Sequence, residues 1–273
     1  VYEKMSGINE GPCVIYRNGK YYLTISINGY ADKSYSVIQA VSDSPLGPYR
    51  KLRDSEGGVL LSTDAMIMDN VSGPGHHGFV EIEGQLYIIY HKHNDPNEGG
   101  TARHVAVDRV NWVTIEDMFG EELDVMYVNG PTTSIQRMPD FASEYKNIAP
   151  EAKVSATNLK EDSSVDYLVD GLQSIYKSAN EEFISNYVKE TEFTGETVIT
   201  LSFDDYRDIK ALMIYNSKWM ESAFYDIYRI EFDCLDSSGN KVKKVIRNLQ
   251  FDWNAYTSTN DIDVIRGASP AIA

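Results

Sequence analysis

Cysteine and basic residues are scarce in this sequence. Cys13 and Cys234 are the only cysteines in 273 residues. They stand far apart in apolar contexts and read as two buried free thiols, with no metal-ligand spacing. Lys and Arg number 25 against 41 Asp and Glu, a formal net charge of −16. Phosphate backbones are gripped by clustered cations, so nucleic acid is excluded as an expected partner. The densest basic run, Lys241-Val242-Lys243-Lys244, reads as a solvated strand edge. No apolar run approaches the roughly 18–20 residues that span a bilayer, so no membrane partner is expected. The longest, such as Leu86-Tyr87-Ile88-Ile89-Tyr90, suit buried strands. Val1 opens no secretory signal and there is no starting Met, which points to a processed or excised segment. There is no Gly-rich phosphate loop, nucleophile elbow or HExxH motif.

What is present is an ordinary globular composition, 42% hydrophobic and 24% charged, with 19 Tyr residues. Tyr suits both strands and sugar-binding clefts. Runs of four to eight alternating or apolar residues predict strands at Tyr21–Ser26, Tyr35–Val41, Phe79–Ile82, Leu86–His91, Val105–Val110, Thr197–Phe203, Ala211–Tyr215, Ile227–Cys234 and Lys243–Ile246. Turn signals such as Asn18-Gly19, Glu83-Gly84 and Ser238-Gly239-Asn240 separate them. Short helices fit near Tyr167–Asp170 and Glu181–Ile184. The chain reads as all-β.

An internal repeat organises the first half. Tyr16-Arg17-Asn18-Gly19-Lys20-Tyr21-Tyr22-Leu23 matches Glu81-Ile82-Glu83-Gly84-Gln85-Leu86-Tyr87-Ile88 at an offset of 65 residues. A repeated unit of about four strands is the mark of propeller blades, usually about 40–50 residues long. The wider spacing implies a longer loop, placed at Arg53–Asp69. Two blades cannot close a ring of roughly four or more. Residues 1–140 therefore read as part of a ring whose beginning is missing. Texture changes at 139–150, where a linker is expected. Residues 147–273 have the strand spacing of a β-sandwich.

The same offset places Gly11 on His76 and Glu10 on Gly75, at the start of each blade's first strand. Innermost strands converge on a central channel, so Glu10 and His76 are expected near the axis on neighbouring blades. A Glu there could be desolvated and held protonated as a general acid, one of the two carboxyl groups that sugar hydrolysis requires. The alternative is an exposed turn residue. His76-His77, after Gly73-Pro74-Gly75, could bind a metal or could be hydrogen-bonded within the structure. His91, Lys92 and His93 lead into a loop, Asn94–Thr101, that borders a pocket or is plain surface.

These residues resemble a known family. Glu10-Gly11-Pro12 with Arg17-Asn18-Gly19-Lys20-Tyr21-Tyr22-Leu23-Thr24 is similar to the general-acid segment of glycoside hydrolase family 43. Ser42-Asp43-Ser44-Pro45-Leu46-Gly47-Pro48-Tyr49 resembles its blade-closing stretch, and Gly73-Pro74-Gly75-His76-His77 its central-channel histidine motif. Val128-Asn129-Gly130-Pro131-Thr132 resembles its end-of-propeller motif. The resemblance covers about residues 8–137. It implies the last two blades of a five-bladed β-propeller, and hydrolysis of α-L-arabinofuranosides or β-D-xylosides with inversion. Glu10 then matches the general acid, and His76 the histidine that faces an axial metal ion, often calcium, or a water cluster. Arg103 matches an arginine that contacts the sugar, and His91 is assigned to substrate binding beside it. The family's base and a second, tuning Asp precede the acid, and Val1–Asn9 contains no Asp. An acid without its base should be nearly inactive.

In the second half, Asn147-Ile148-Ala149, Val154-Ser155-Ala156-Thr157 and Val169-Asp170-Gly171 resemble the opening of a discoidin-like, factor V/VIII type C domain. Ile209–Asn216 resembles its central strand. That implies a jelly-roll β-sandwich that commonly binds glycans, with structural calcium near Asp170; an Asx turn is the alternative. The usual WxS step is replaced by Tyr176-Lys177-Ser178. Trp219, Tyr225 and Trp253 could form a sugar platform or pack in the core. The apolar ending suggests a cut before a last strand. The resulting expectation is a piece of a secreted or periplasmic hydrolase acting on plant oligo- or polysaccharide, partnered by its missing N-terminal blades. The rival is a non-catalytic glycan-binding or adhesion protein.

Overall fold

The computed structural model describes residues 9–63, 71–95, 99–132, 146–175, 180–215, 224, 226–250 and 271–272. The described structure is mostly β, and the chain divides into two compact units. The first comprises residues 1–133 together with 175–188, and the second residues 134–174 and 189–273.

The first unit contains two antiparallel meanders. One is β1 (Asn9–Arg17), β2 (Lys20–Ile27), β3 (Ser36–Ser42) and β4 (Arg50–Lys51), with β5 (Val59–Leu61) also paired to β3. The other is β6 (Gly75–Ile82), β7 (Gln85–Asp95), β8 (Gly99–Glu116) and β9 (Glu122–Val128), in that order. The repeat seen in sequence is reproduced in the backbone. Asn18 and Gly19 have φ of 49° and 83°, and Glu83 and Gly84 have 51° and 79°. Positive φ at both central residues is what a two-residue hairpin needs to match strand twist. The opening strands carry the same bulge, between Glu10 and Cys13 in β1 and between Gly75 and Gly78 in β6. Within it, Gly11 and His76 both sit in the left-handed region, at 58° and 47°.

The two sheets pack face to face. The inner face of the first presents Tyr22, Thr24, Ser26, Val37, Gln39 and Val41, all buried. Gln39 is wholly buried and ties the sheets together. Its amide donates to the carbonyls of Gly57 and Met126, both at 2.8 Å, and accepts from the Met126 N–H at 3.3 Å. A second tie is Glu56, which takes both oxygens to Arg50 and accepts the backbone N–H groups of Arg53 and Met118. The outer faces are apolar too. Val14 and Tyr16 are 51% and 63% exposed on β1, and Ile89, Val105 and Val107 stand exposed on β7 and β8.

The longer loop after β3 holds β4, a 3-10 turn at Asp54–Glu56 and β5. Helix α1 (Glu181–Tyr187) belongs to the first unit. Its Phe183 stacks on Tyr127 at 5.8 Å and lies where a Cβ on Gly57 would fall, 2.7 Å from the ring. Sequence periodicity places this helix correctly but does not show which unit it serves.

In the second unit, β10 (Lys153–Ala156) pairs with β11 (Ile199–Ser202), β12 (Met213–Ile214) with β15 (Ala271–Ile272), and β13 (Asp226–Leu235) with β14 (Lys241–Gln250). A 3-10 turn at Val165–Leu168 stands where a short helix is expected, capped by the Ser164 hydroxyl on the Asp166 N–H. The run at 241–244 is in β14, where Lys243 pairs with Glu231 at 2.7 Å. Trp219, Tyr225, Trp253 and most of the expected linker lie outside the described residues. Both cysteines are free and only half-buried, a departure from the buried pair expected. Among the described residues, no helix is long and apolar enough to cross a membrane.

Candidate active site

The site forms where the bulges of β1 and β6 meet. A Cβ on Gly11 would lie 3.5 Å from the His76 Cα, so the positions related by the 65-residue offset are neighbours. His76 pays for its left-handed backbone, unfavourable for an L side chain by about 1–2 kcal/mol, with local support. Its N–H donates to the Ser26 Oγ at 2.8 Å. This conformation leaves the His76 imidazole exposed, with Nδ1 at 3.8 Å from the Glu10 Oε2. The other Glu10 oxygen, Oε1, accepts the Tyr35 hydroxyl at 2.7 Å.

Behind them lies a layer of rings. Tyr35 stacks on His91 at 5.5 Å with planes 12° apart, and His76 stacks on His91 at 6.3 Å. Burial, then the hydrogen bond to Glu10, push the Tyr35 phenol up to about 12, so it stays a donor. His91 meets Arg103 Nη1 through Nε2 at 3.0 Å. Burial, followed by the charge of Arg103, lowers the His91 imidazole to about 4. It is therefore neutral at pH 7. Guanidinium only donates, so Nε2 accepts and Nδ1 carries the hydrogen; Nδ1 is buried and has no hydrogen-bond partner among the described residues. Arg103 also lies over Tyr30, 4.8 Å from the ring centroid, a cation–π contact.

The second histidine of the pair has a structural role. His77 is 5% exposed. Its Nε2 meets the Thr24 hydroxyl at 2.7 Å, and its Nδ1 faces the Ser26 hydroxyl at 3.3 Å. Burial, then the charge of His76, lower it to about 4. His93 is equally enclosed. Its Nε2 donates to the Tyr30 carbonyl and its Nδ1 accepts from Ser72, both at 2.9 Å. The loop after β7 is shorter than expected, because β7 runs to Asp95 and β8 resumes at Gly99.

The structure thus brings together Glu10, His76, His91 and Arg103. Asp170, in the second unit, accepts the Leu172 N–H at 2.8 Å in an Asx turn. Tyr35 and Ser26 were not singled out by sequence. Tyr35 reads there as one strand tyrosine among many, and its partner is 25 residues away.

Calcium takes six to eight oxygen ligands. His76 offers nitrogen, and the carboxylate it faces is held by Tyr35. Among the described residues no group of three or more His, Cys, Asp or Glu side chains is placed to hold a metal ion. The described residues do not fit a calcium site.

Comparison with known proteins gives this geometry a context. Residues 2–115 match the profile of glycosyl hydrolases family 43. A β-D-galactofuranosidase of Aspergillus niger is 30% identical over 129 residues, 47% of this chain and 36% of that protein. An α-L-arabinofuranosidase of Humicola insolens is 30% identical over 139 residues, 46% of this chain and 26% of that protein. The crystal structure of a thermostable family-43 glycoside hydrolase is 38% identical, with a TM-score of 0.40, covering 48% of this chain and 38% of that one. The chain therefore spans well under half the length of these relatives, and it is residues 2–115, the segment that contains Glu10, His76, His91 and Arg103, that are similar to family 43.

Proposed function

We propose that the chain carries the acid side of a glycoside hydrolase site, acting on α-L-arabinofuranosidic or β-D-xylosidic bonds of plant polysaccharides by inversion. The carrying observation is Glu10. Its carboxyl is half-buried at the junction of the two sheets, with one oxygen held and the other beside an exposed imidazole. Its role is to protonate the leaving oxygen. Arg103 and His91 would bind the sugar, with Tyr30 as an adjoining aromatic surface.

Inversion also needs a carboxylate base about 6.5–9.5 Å away to activate water. Among the described residues, Glu10 meets Tyr35 and His76, neither of which is such a base. The base belongs to further blades. Exposed apolar residues on both outer faces of the sheet pair support that reading, since isolated two-sheet stacks expose polar outer faces. The first unit is then part of a five-bladed propeller and the second a discoidin-like sandwich, in a protein that works outside the cytoplasm, where plant glycans are met. A metal beside His76 would need ligands from outside the described residues.

The test begins with the intact mass of the purified protein, followed by turnover of arabino- and xylo-oligosaccharides by wild type and Glu10→Gln. The expected result is turnover only in material heavier than 30.8 kDa, or with a co-purifying chain, and about a 100-fold or greater loss in Glu10→Gln. Turnover that survives the substitution refutes the assignment of the acid.

A further inference from the structure

We propose that Tyr35 is the positioning residue of this site, holding Glu10 by Oε1 so that the proton delivered to the leaving oxygen sits on Oε2. This rests on the hydrolase reading above and specifies how its acid is set.

Three observations carry it. First, Tyr35 cannot move easily. It is wholly buried, stacked on His91, and packed against Gly75 so closely that a Cβ there would lie 2.1 Å from its ring. Second, the direction of the bond is set by the chemistry of the pair. Burial and the Glu10 carboxyl keep the Tyr35 phenol protonated, so its hydroxyl is the donor and the Glu10 Oε1, at 2.7 Å, the acceptor. Third, the two carboxyl oxygens are unlike. Oε1 faces an enclosed phenol, while Oε2 faces the exposed side of the site beside His76.

The chemistry follows from that difference. In the reacting state Glu10 is neutral, with its proton on Oε2. As the glycosidic C–O bond breaks, its electron pair goes to the leaving oxygen, which takes that proton and departs as an alcohol. Water bonds to the anomeric carbon and yields its proton to the carboxylate base of the further blades. Negative charge appears on Glu10, and the Tyr35 hydrogen bond strengthens as it does. A donor to the charged form favours proton release. The charged or titratable groups facing the pair are His76 from β6, His91 from β7 and Arg103 from β8.

The experiment compares wild type, Tyr35→Phe and Glu10→Gln on aryl glycosides whose leaving groups run from dinitrophenol to phenol, together with a carbon-13 titration of the Glu10 carboxyl in the whole chain. Acid catalysis matters most for poor leaving groups. Tyr35→Phe should lose about tenfold on the phenyl glycoside and about twofold on the dinitrophenyl one. The titration midpoint of Glu10 should move to higher pH in Tyr35→Phe, because the ionised form has lost a donor. Equal losses on every leaving group, or a midpoint that stays put, would overturn the proposal. A wild type that is heavier than 30.8 kDa or carries a co-purifying chain, yet cleaves nothing while the midpoint still moves, would sink the hydrolase reading and leave the Tyr35 contact standing. An unchanged amide spectrum in Tyr35→Phe shows that the variant is folded.

Discussion

Replacing Gly75 by Ala tests whether the ring layer holds the site together. The added methyl would lie 2.1 Å from Tyr35 Cε1, where carbon atoms ordinarily stop at about 3.5–4.0 Å. Either the ring or the strand must move by roughly 1.5 Å. Tyr35 is wholly buried, so the clash costs about 1–3 kcal/mol as overpacking. A ring displaced that far also loses its hydrogen bond to Glu10, 2.7 Å long in the native protein, and bonds to charged groups contribute about 1.5–3 kcal/mol. The expected loss is about 3 kcal/mol. With a urea slope of about 2 kcal/mol per molar, the midpoint of the first unit should fall by about 1.5 M. Gly78, three residues on in the same strand, is the control, because a Cβ there meets nothing within 4 Å. Gly78→Ala should stay within about 0.5 kcal/mol of wild type. If the two substitutions cost the same, or if Gly75→Ala is neutral, the steric reasoning is wrong.

Two further predictions concern the ties between the sheets. Gln39→Met keeps the volume but strands the Gly57 and Met126 carbonyls and the Met126 N–H; at about 1–3 kcal/mol for an unsatisfied buried group, hydrogen exchange at residues 122–128 should quicken by about a hundredfold, and a change under threefold would refute the tie. Glu56→Gln should cost about 1–3 kcal/mol at pH 7, because the half-buried Arg50 loses the charge of Glu56 and keeps only Asp117, at 3.1 Å, as an acidic partner. Burial pushes the Glu56 carboxyl up, but the amides of Arg53 and Met118 and the side chain of Arg50 pull it net below its ordinary 4.5. The ionised form therefore stabilises the fold above that value, and the contribution is lost as pH falls through the lower folded-state value. The gap between wild type and variant in urea midpoint should be full at pH 7 and shrink below about pH 4.5. A gap that widens with acid would contradict the sign.

How much of this was legible beforehand depends on the range of the interactions. The hairpins were, because Asn18-Gly19 and Glu83-Gly84 announce a turn that permits positive φ at both central residues. The 65-residue repeat was, and it led to the juxtaposition of β1 with β6 that puts Glu10 beside His76. Strand ends were less so. Asn9–Arg17 does not alternate cleanly because its bulge interrupts the pleat, and Glu122–Val128 is buried on both sides and shows no period. The placement of α1 was hidden, since an amphipathic stretch records that it has an apolar face and not what covers that face.

The site divides along the same line. Sequence alone determined the residue types and their order: an acid at the mouth of one strand, a histidine one residue past the equivalent place in the next, and the repeat that relates them. Only tertiary structure decided the roles around them. It placed His77 in the core and His76 in the open. It set the tautomer of His91 through Arg103 and brought Tyr35 across 25 positions to the Glu10 carboxyl. The physical reason is that periodicity and turn chemistry are local, carried by neighbouring side chains. Burial and hydrogen-bond direction depend on which atoms of distant strands come within about 3 Å, and that is settled only when the sheets pack.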